Sequence, residues 1–111
     1  MITNTINDFR IKNGKAPFYH WNPVENNHCE AHCWAMQRVG GLYHTSNIFL
    51  HDKAEAIAVC QWDEDLSTTI SKIIWNIFGN SPGHKNVLLM DNLSYGIAIF
   101  NYQVYMTIRG W

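Results

Sequence analysis

The segment NNHCEAHCWAM, residues 26–36, brings two histidines, two cysteines and a glutamate into six consecutive positions. His28 and His32 are four residues apart, so they share one face of a helix, and such a pair can contribute to a zinc site. The pattern is not the H-E-x-x-H motif of zinc proteases, because Cys29 replaces the motif's glutamate and Glu30 comes one residue late. Zinc needs about four ligands, so we favour a structural helix and keep a two-histidine surface site as the alternative.

The three cysteines, Cys29, Cys33 and Cys60, are an odd number, which argues against a disulfide framework. A bridge between Cys29 and Cys33 would strain a helix, so both are predicted to be small residues that behave as buried hydrophobes. A nucleophilic cysteine with a histidine base is the enzymatic alternative, but no cysteine-protease signature surrounds any of the three. The G-x-S-x-G motif of serine hydrolases and a glycine-rich phosphate loop are also absent.

Two other histidines, His44 and His84, lie in segments predicted to be irregular, where side chains are more often positioned for contact than for packing. His84 follows the turn-forming residues Ser81-Pro82-Gly83, which fix its direction. Glu55 is the one carboxylate in the mostly small and apolar run AEAIAV. From composition alone, we interpret Glu55 as an exposed charge or as half of an ion pair.

The hydrophobic pattern predicts helices first and a pair of strands last. Residues 2–14 and 22–41 are predicted to contain two helices, the second with Asn22 as its N-cap and Glu25 completing a capping box. The segment DLSTTISKIIWNIF is amphipathic, and its predicted buried stripe consists of Leu66, Ile70, Ile73, Ile74 and Ile77. AEAIAVC fits either a helix or a strand.

The last third changes to the period of a β-strand. LSYGIAIF and QVYMTIRGW are rich in β-branched and aromatic residues, and Asn101-Tyr102 separates them. This pattern predicts an antiparallel hairpin. The order of elements therefore indicates an α+β or layered α-β-α domain.

Length and composition limit the classes of protein that this chain can represent. The 111 residues suit one domain, residues 1–111, and 47% apolar with 15% charged residues argues against disorder. A net charge of −1 gives no electrostatic reason to expect a nucleic-acid or anionic-membrane partner. No apolar stretch reaches the length of a membrane span, and the first residues lack the pattern of a secretion signal.

Four segments resemble, in their order, those of the CAP superfamily of cysteine-rich secretory proteins, antigen five and pathogenesis-related proteins. They are YHT at 43–45, AEAIA at 54–58, WNIFGNSPGHKNVLL at 75–89 and YGIAI at 95–99. SPGHKNVLL is the most specific of them and is similar to the SPGHRANIL form of the bacterial branch. INDFRIKNGKAPFYHWNP and AHCWAM also resemble the family's first segments, so the likeness covers nearly the whole chain.

The resemblance implies an α+β fold, a three-layer α-β-α sandwich with a small antiparallel sheet and a central cleft. In the family, two histidines and typically two acidic residues line this cleft, which binds a divalent metal, often zinc, in some members. His44 and His84 match the two histidines, and Glu55 matches the acid of the family's G-E-N-I-A. The resemblance thus makes these three residues the expected metal site and the candidates for catalysis. It also places HCEAHC on a structural helix, away from His44 and His84, with its polar residues on the exposed face.

The sequence departs from the family pattern at two points. Ala54 and Ala56 replace the glycine and asparagine beside Glu55, which can change the local turn or its hydrogen bonds. The second acid, which often follows the helix tryptophan, is missing, because no carboxylate lies between Trp75 and His84. The resemblance therefore implies a site with fewer ligands than the full set of four.

From these residues we expect a non-catalytic binding module that takes a divalent metal, zinc in particular, or a small ligand. The alternative is a metal-dependent hydrolase or peptidase in which Glu55 is the general base. A third hypothesis is a cell-wall or host-interaction module that binds a lipid, a glycan or a protein through the exposed tryptophans among Trp21, Trp62 and Trp111. The family resemblance implies an extracellular or cell-surface location.

Overall fold

Five helices and three strands account for most of the chain, and the computed structural model describes every residue from 1 to 111. The helices are α1 (Ile2–Lys12), α2 (Pro23–Val39), α3 (Asn47–Leu50), α4 (Leu66–Ser71) and α5 (Pro82–Leu88). The strands are β1 (Ala54–Gln61), β2 (Leu93–Phe100) and β3 (Gln103–Gly110). A π-helical segment, Lys72–Phe78, continues α4. None of the helices is both long enough and apolar enough to cross a bilayer.

The three strands form one antiparallel sheet in the order β1-β3-β2, with β3 in the centre. AEAIAVC is therefore a strand and not a helix, the other structure that its sequence allowed. The predicted hairpin joins β2 to β3 through Asn101 and Tyr102, whose φ angles are 51° and 63°. Two consecutive positive φ angles are characteristic of the type I′ turn, which matches the twist of a hairpin. The α+β class with a small antiparallel sheet is confirmed.

Alternate residues of the central strand pack into two separate groups of buried side chains. Val104, Met106 and Ile108 belong to the larger group, together with residues of α1, α4, the π segment and α5. Tyr105 belongs to a smaller group that contains Cys33 and other residues of α2 and the sheet. Successive side chains of a strand point to opposite faces, so the sheet is covered on both faces.

Helix α2 has the start and the end that its sequence predicts. The Asn22 side chain accepts hydrogen bonds from the backbone N–H groups of Val24 and Glu25, at 2.9 and 3.2 Å. Gly40 ends the helix in the left-handed conformation, with a φ of 71°. The predicted capping box is not formed, because the Glu25 carboxylate turns toward His28, with its Oε2 3.8 Å from Nδ1.

The π segment changes which residues of the third predicted helix are buried. Ile73 and Ile74 are fully buried as predicted, but Ile77 is 37% exposed and Phe78 is buried in its place. The reason is the i→i+5 hydrogen bonding of a π-helix, which widens each turn; for example, the backbone N–H of Gly79 donates to Ile74 at 3.0 Å. The inclusion of Ile77 in the buried stripe is therefore wrong, since it assumed a regular α-helical period.

Candidate functional site

The candidate site is built on a buried ion pair between two neighbouring strands. Glu55 of β1 lies directly opposite Arg109 of β3 in the antiparallel register. Arg109 Nε donates to Glu55 Oε2 at 3.2 Å, and the two side chains are only 3% and 1% exposed. Buried charges are stable only when they are paired and hydrogen-bonded. The interpretation of Glu55 as an exposed charge is therefore wrong, and the ion-pair interpretation is confirmed.

The segment that precedes α3 supplies the remaining hydrogen bonds to Glu55. The Thr45 backbone N–H donates to Oε1 at 2.8 Å, and the Thr45 hydroxyl donates to Oε2 at 2.6 Å. The same hydroxyl accepts from Arg109 Nη2 at 3.0 Å. His44 Nδ1 lies 3.0 Å from Oε1. Glu55 thus receives four hydrogen bonds, two on each oxygen.

These contacts determine the proton positions of the pair His44 and Glu55. Burial by itself would raise the pKa of Glu55, but the bonds from the Thr45 hydroxyl and backbone, the bond from His44 and the nearby His32 together bring the pKa below its ordinary value. An ionised carboxylate can only accept a hydrogen bond, so the proton of a neutral His44 ring is on Nδ1. Nε2 then carries the lone pair, on a side chain that is 60% exposed.

Acid should destabilise the protein partly through Glu55. Because its pKa in the folded state is below the ordinary value of 4.5, its contribution is complete above that pH and is lost as the pH falls toward the lower, folded-state pKa. We expect the free energy of unfolding, measured in urea between pH 7 and pH 3, to fall less steeply in Glu55→Gln than in the wild type. Glu30→Gln, which removes an exposed carboxylate of α2, should keep the wild-type slope. Equal slopes in Glu55→Gln and the wild type would contradict this role.

His84 lies in the first turn of α5 and is half-buried, so the prediction that it lies in an irregular segment is wrong. Its ring packs edge-on against Phe78, with centroids 5.2 Å apart, and its Nδ1 is buried without a hydrogen bond. Burial lowers the pKa of His84, and the charge of His44 lowers it further. The structure therefore brings His44 and Glu55 into contact, whereas His84 makes no hydrogen bond to either residue.

His32 is part of the site, contrary to the expectation from the sequence. Its side chain is only 7% exposed and its Nε2 lies 4.0 Å from Glu55 Oε1. The same Nε2 lies 2.7 Å from the Tyr43 carbonyl oxygen, which can only accept, so Nε2 carries a proton. The prediction that HCEAHC lies away from His44 is wrong for His32, because the buried face of α2 includes this position. His28, one turn earlier, is half-exposed as predicted.

The cysteines of α2 are confirmed as buried helix residues. Cys29 and Cys33 have no exposed surface, and all three cysteines are free thiols. Cys29 Sγ lies 3.3 Å from the Ser94 hydroxyl, and Cys33 Sγ lies 3.2 Å from the Thr107 hydroxyl. Burial raises the pKa of Cys29 to about 11 and that of Cys33 to about 12. A thiol must ionise to act as a nucleophile, so neither cysteine is suited to catalysis near neutral pH.

A metal at this site would be bound by imidazoles. His44 Nε2 is free to donate its lone pair, whereas both oxygens of Glu55 are occupied by N–H and O–H donors. No three His, Cys, Asp or Glu residues are arranged so that they could hold one ion. His44 thus has one ring nitrogen available to a metal, and Glu55 fits the role of a residue that orients that ring.

The tryptophans proposed for a surface site differ in exposure. Trp62 and Trp111 are 36% and 42% exposed. Trp21 packs edge-on between Phe18 and Tyr95, at centroid distances of 5.0 and 4.9 Å. Trp62 and Trp111 are therefore the more exposed candidates for a surface site, whereas Trp21 is partly buried.

Thr45 and Arg109 are the functional residues that the sequence did not reveal. Thr45 follows His44 in the YHT motif, and its hydroxyl, which can hydrogen-bond to a carboxylate, was the feature of the sequence that could have pointed to its role. Arg109 has its role only because β3 pairs with β1, which places it opposite Glu55.

Comparison with known proteins adds no further assignment: no protein-family model matches this chain, and no curated protein is significantly similar to it in sequence.

Proposed function

We propose that this chain is a non-catalytic binding domain in which His44 and His84 bind a divalent metal, zinc in particular, or a small ligand. The observation that carries the proposal is the hydrogen bond between His44 Nδ1 and the buried Glu55, 3.0 Å long. Histidines that bind metals commonly donate their second ring N–H to a carboxylate, which fixes the ring and makes the free nitrogen a better ligand. His44 has this arrangement, with Nε2 available.

We also propose that the domain has the three-layer α-β-α architecture of the CAP superfamily. Helix α2 packs against β2 and β3, while α5 and the π segment contact β1. The two groups of buried residues on opposite faces of β3 support a layered arrangement. Of the segments that resemble the family in sequence, the one around His44 bonds to Glu55 of β1, and α5, which carries His84, packs against β1 and β3.

The hydrolase alternative is less well supported by the same contacts. A general base needs a lone pair directed at the proton it removes and a pKa near the working pH. Glu55 is 1% exposed, its oxygens receive four hydrogen bonds, and its pKa is lowered rather than raised. We therefore assign Glu55 the role of orienting His44 and not that of a base.

Calorimetric titration with zinc tests the proposal. We expect the wild type to bind zinc and the His44→Ala/His84→Ala protein to bind it at least tenfold more weakly, which corresponds to about 1.4 kcal/mol or more. His28→Ala is the matched control, because His28 is a half-exposed histidine outside this pair, and it should bind like the wild type. Circular dichroism should show that all three proteins are folded.

Two results would contradict the metal site. Equal zinc binding by the wild type and the double variant, with a loss in His28→Ala, would place the metal on α2. An absence of zinc binding in all three folded proteins would exclude zinc as the occupant of the His44–His84 pair.

A further inference from the structure

A groove of about 320 Å³ lies beside the Glu55–Arg109 pair, between α2 and the segment around α3. Three histidines line it: His28 and His32 from α2, and His51 directly after α3. The ring of Phe49, which is 66% exposed, adds an apolar surface. Small-molecule sites usually start near 300 Å³ and combine an apolar surface with a few polar groups. The groove therefore has the size and composition of a site for a small ligand.

Arg109 reaches this groove with unused hydrogen-bond donors. A guanidinium has five N–H donors, and Arg109 uses one on Nε for Glu55 and one on Nη2 for Thr45. Nη1 makes no hydrogen bond within the protein, although the side chain is only 3% exposed and lines the groove. The planar fork of arginine matches the two oxygens of a carboxylate or phosphate. An oxyanion in the groove would satisfy these donors.

The charges around the groove favour an anion over a cation. No carboxylate lines the groove, and Glu55, behind it, is already paired with Arg109. Glu25 approaches one of the lining histidines, with its Oε2 3.8 Å from His28 Nδ1, and Asp52 follows the lining residue His51 in the chain. A metal is not favoured, because the histidines are not arranged as a set of three ligands and His32 Nε2 is committed to the Tyr43 carbonyl.

We propose that this groove binds a small organic oxyanion, a carboxylate or a phosphate carrying a flat apolar group, with the anion on Arg109 and the apolar group against Phe49. The site is distinct from the His44–His84 pair and does not depend on zinc. Arg109 would thus have two roles, since one side of its guanidinium holds Glu55 and the other faces the ligand.

Titration monitored by ¹H–¹⁵N NMR tests the proposal with benzoate and phenyl phosphate as probes and benzamide as a neutral control of the same shape as benzoate. We expect at least one of the two anions to cause saturable shifts at the amides of Ala31, Thr45 and His51, all of which line the groove. Benzamide should bind at least tenfold more weakly. Shifts with benzoate alone would identify a carboxylate site, and shifts with phenyl phosphate alone a phosphate site.

Two variants separate the groove from other surfaces. Ala31→Leu puts a larger side chain into the groove from an exposed helix position that is not itself part of the Glu55 network, and leucine is nearly as good a helix former as alanine. It should weaken anion binding at least tenfold, whereas Gln37→Leu, on α2 outside the groove, should not. Unchanged binding in Ala31→Leu, equal binding of benzamide and benzoate, or no localised shifts with either anion would overturn the proposal.

Discussion

Replacing Arg109 by methionine should destabilise the protein by about 3–5 kcal/mol, the usual cost of removing one partner of a buried ion pair. The substitution leaves the Glu55 carboxylate, 1% exposed, without its cation. It also removes the Arg109 donor that bonds to the Thr45 hydroxyl at 3.0 Å. The hydrogen bonds of Thr45 to Glu55, which hold the His44 segment against β1, are then weakened. Methionine keeps much of the length of the side chain, so the loss reports mainly the charge and the hydrogen bonds. Urea unfolding at pH 7 measures the effect.

A matched control and a double variant test this explanation. Arg38→Met removes an exposed arginine of α2, and surface substitutions of this kind usually change stability by no more than about 0.5 kcal/mol. Glu55→Gln/Arg109→Met leaves no unpaired charge, so it should be less destabilised than the sum of the two single variants. A loss below about 1 kcal/mol in Arg109→Met, or simple additivity in the double variant, would contradict the role of the pair.

Features that depend on neighbouring residues could be predicted from the sequence. The Asn22 cap, the glycine that ends α2 and the turn at Asn101-Tyr102 are each determined within a few residues, and the structure contains all three. The burial of Cys29 and Cys33 likewise followed from the tendency of cysteine to behave as a small buried hydrophobe. The π segment could not be predicted, because a single change of hydrogen-bond period leaves no clear signal in the amphipathic pattern around it.

The candidate site was predicted less completely, since it depends on the packing of distant segments. Glu55 was singled out, but its partner Arg109 is 54 residues away, and only the register of β1 and β3 brings the two together. His32 was assigned to the exposed face because its polar character outweighed its position beside Cys29 and Cys33. The buried face of α2 in fact continues as far as His32, and a histidine there needs a buried acceptor, which the Tyr43 carbonyl supplies.

The close approach of α2 to β2 explains how His32 reaches the site. Gly96 of β2 lies directly under the α2 backbone, and a Cβ atom at this position would be 2.6 Å from the carbonyl carbon of Cys29 and would also collide with the backbone nitrogen of Glu30. The contact also includes the Cys33 thiol, which donates to the Gly96 carbonyl oxygen at 3.3 Å. A glycine is therefore required here by the distance between helix and sheet, and not by its φ angle.

Gly96→Ala should accordingly cost about 3 kcal/mol, at the upper end of the usual range for overpacking, because the atoms in the way are backbone atoms that cannot change rotamer. Gly41→Ala is the matched control, since a Cβ at Gly41 meets no atom within 4 Å, and it should change stability by no more than about 0.5 kcal/mol. If the variant folds by moving α2 outward, the NMR signals of the His32 ring should shift, because its contacts with Tyr43 and Glu55 depend on the position of that helix. Gly96→Ala with wild-type stability and an unchanged His32 ring would show that the spacing between α2 and β2 does not determine the geometry of the site.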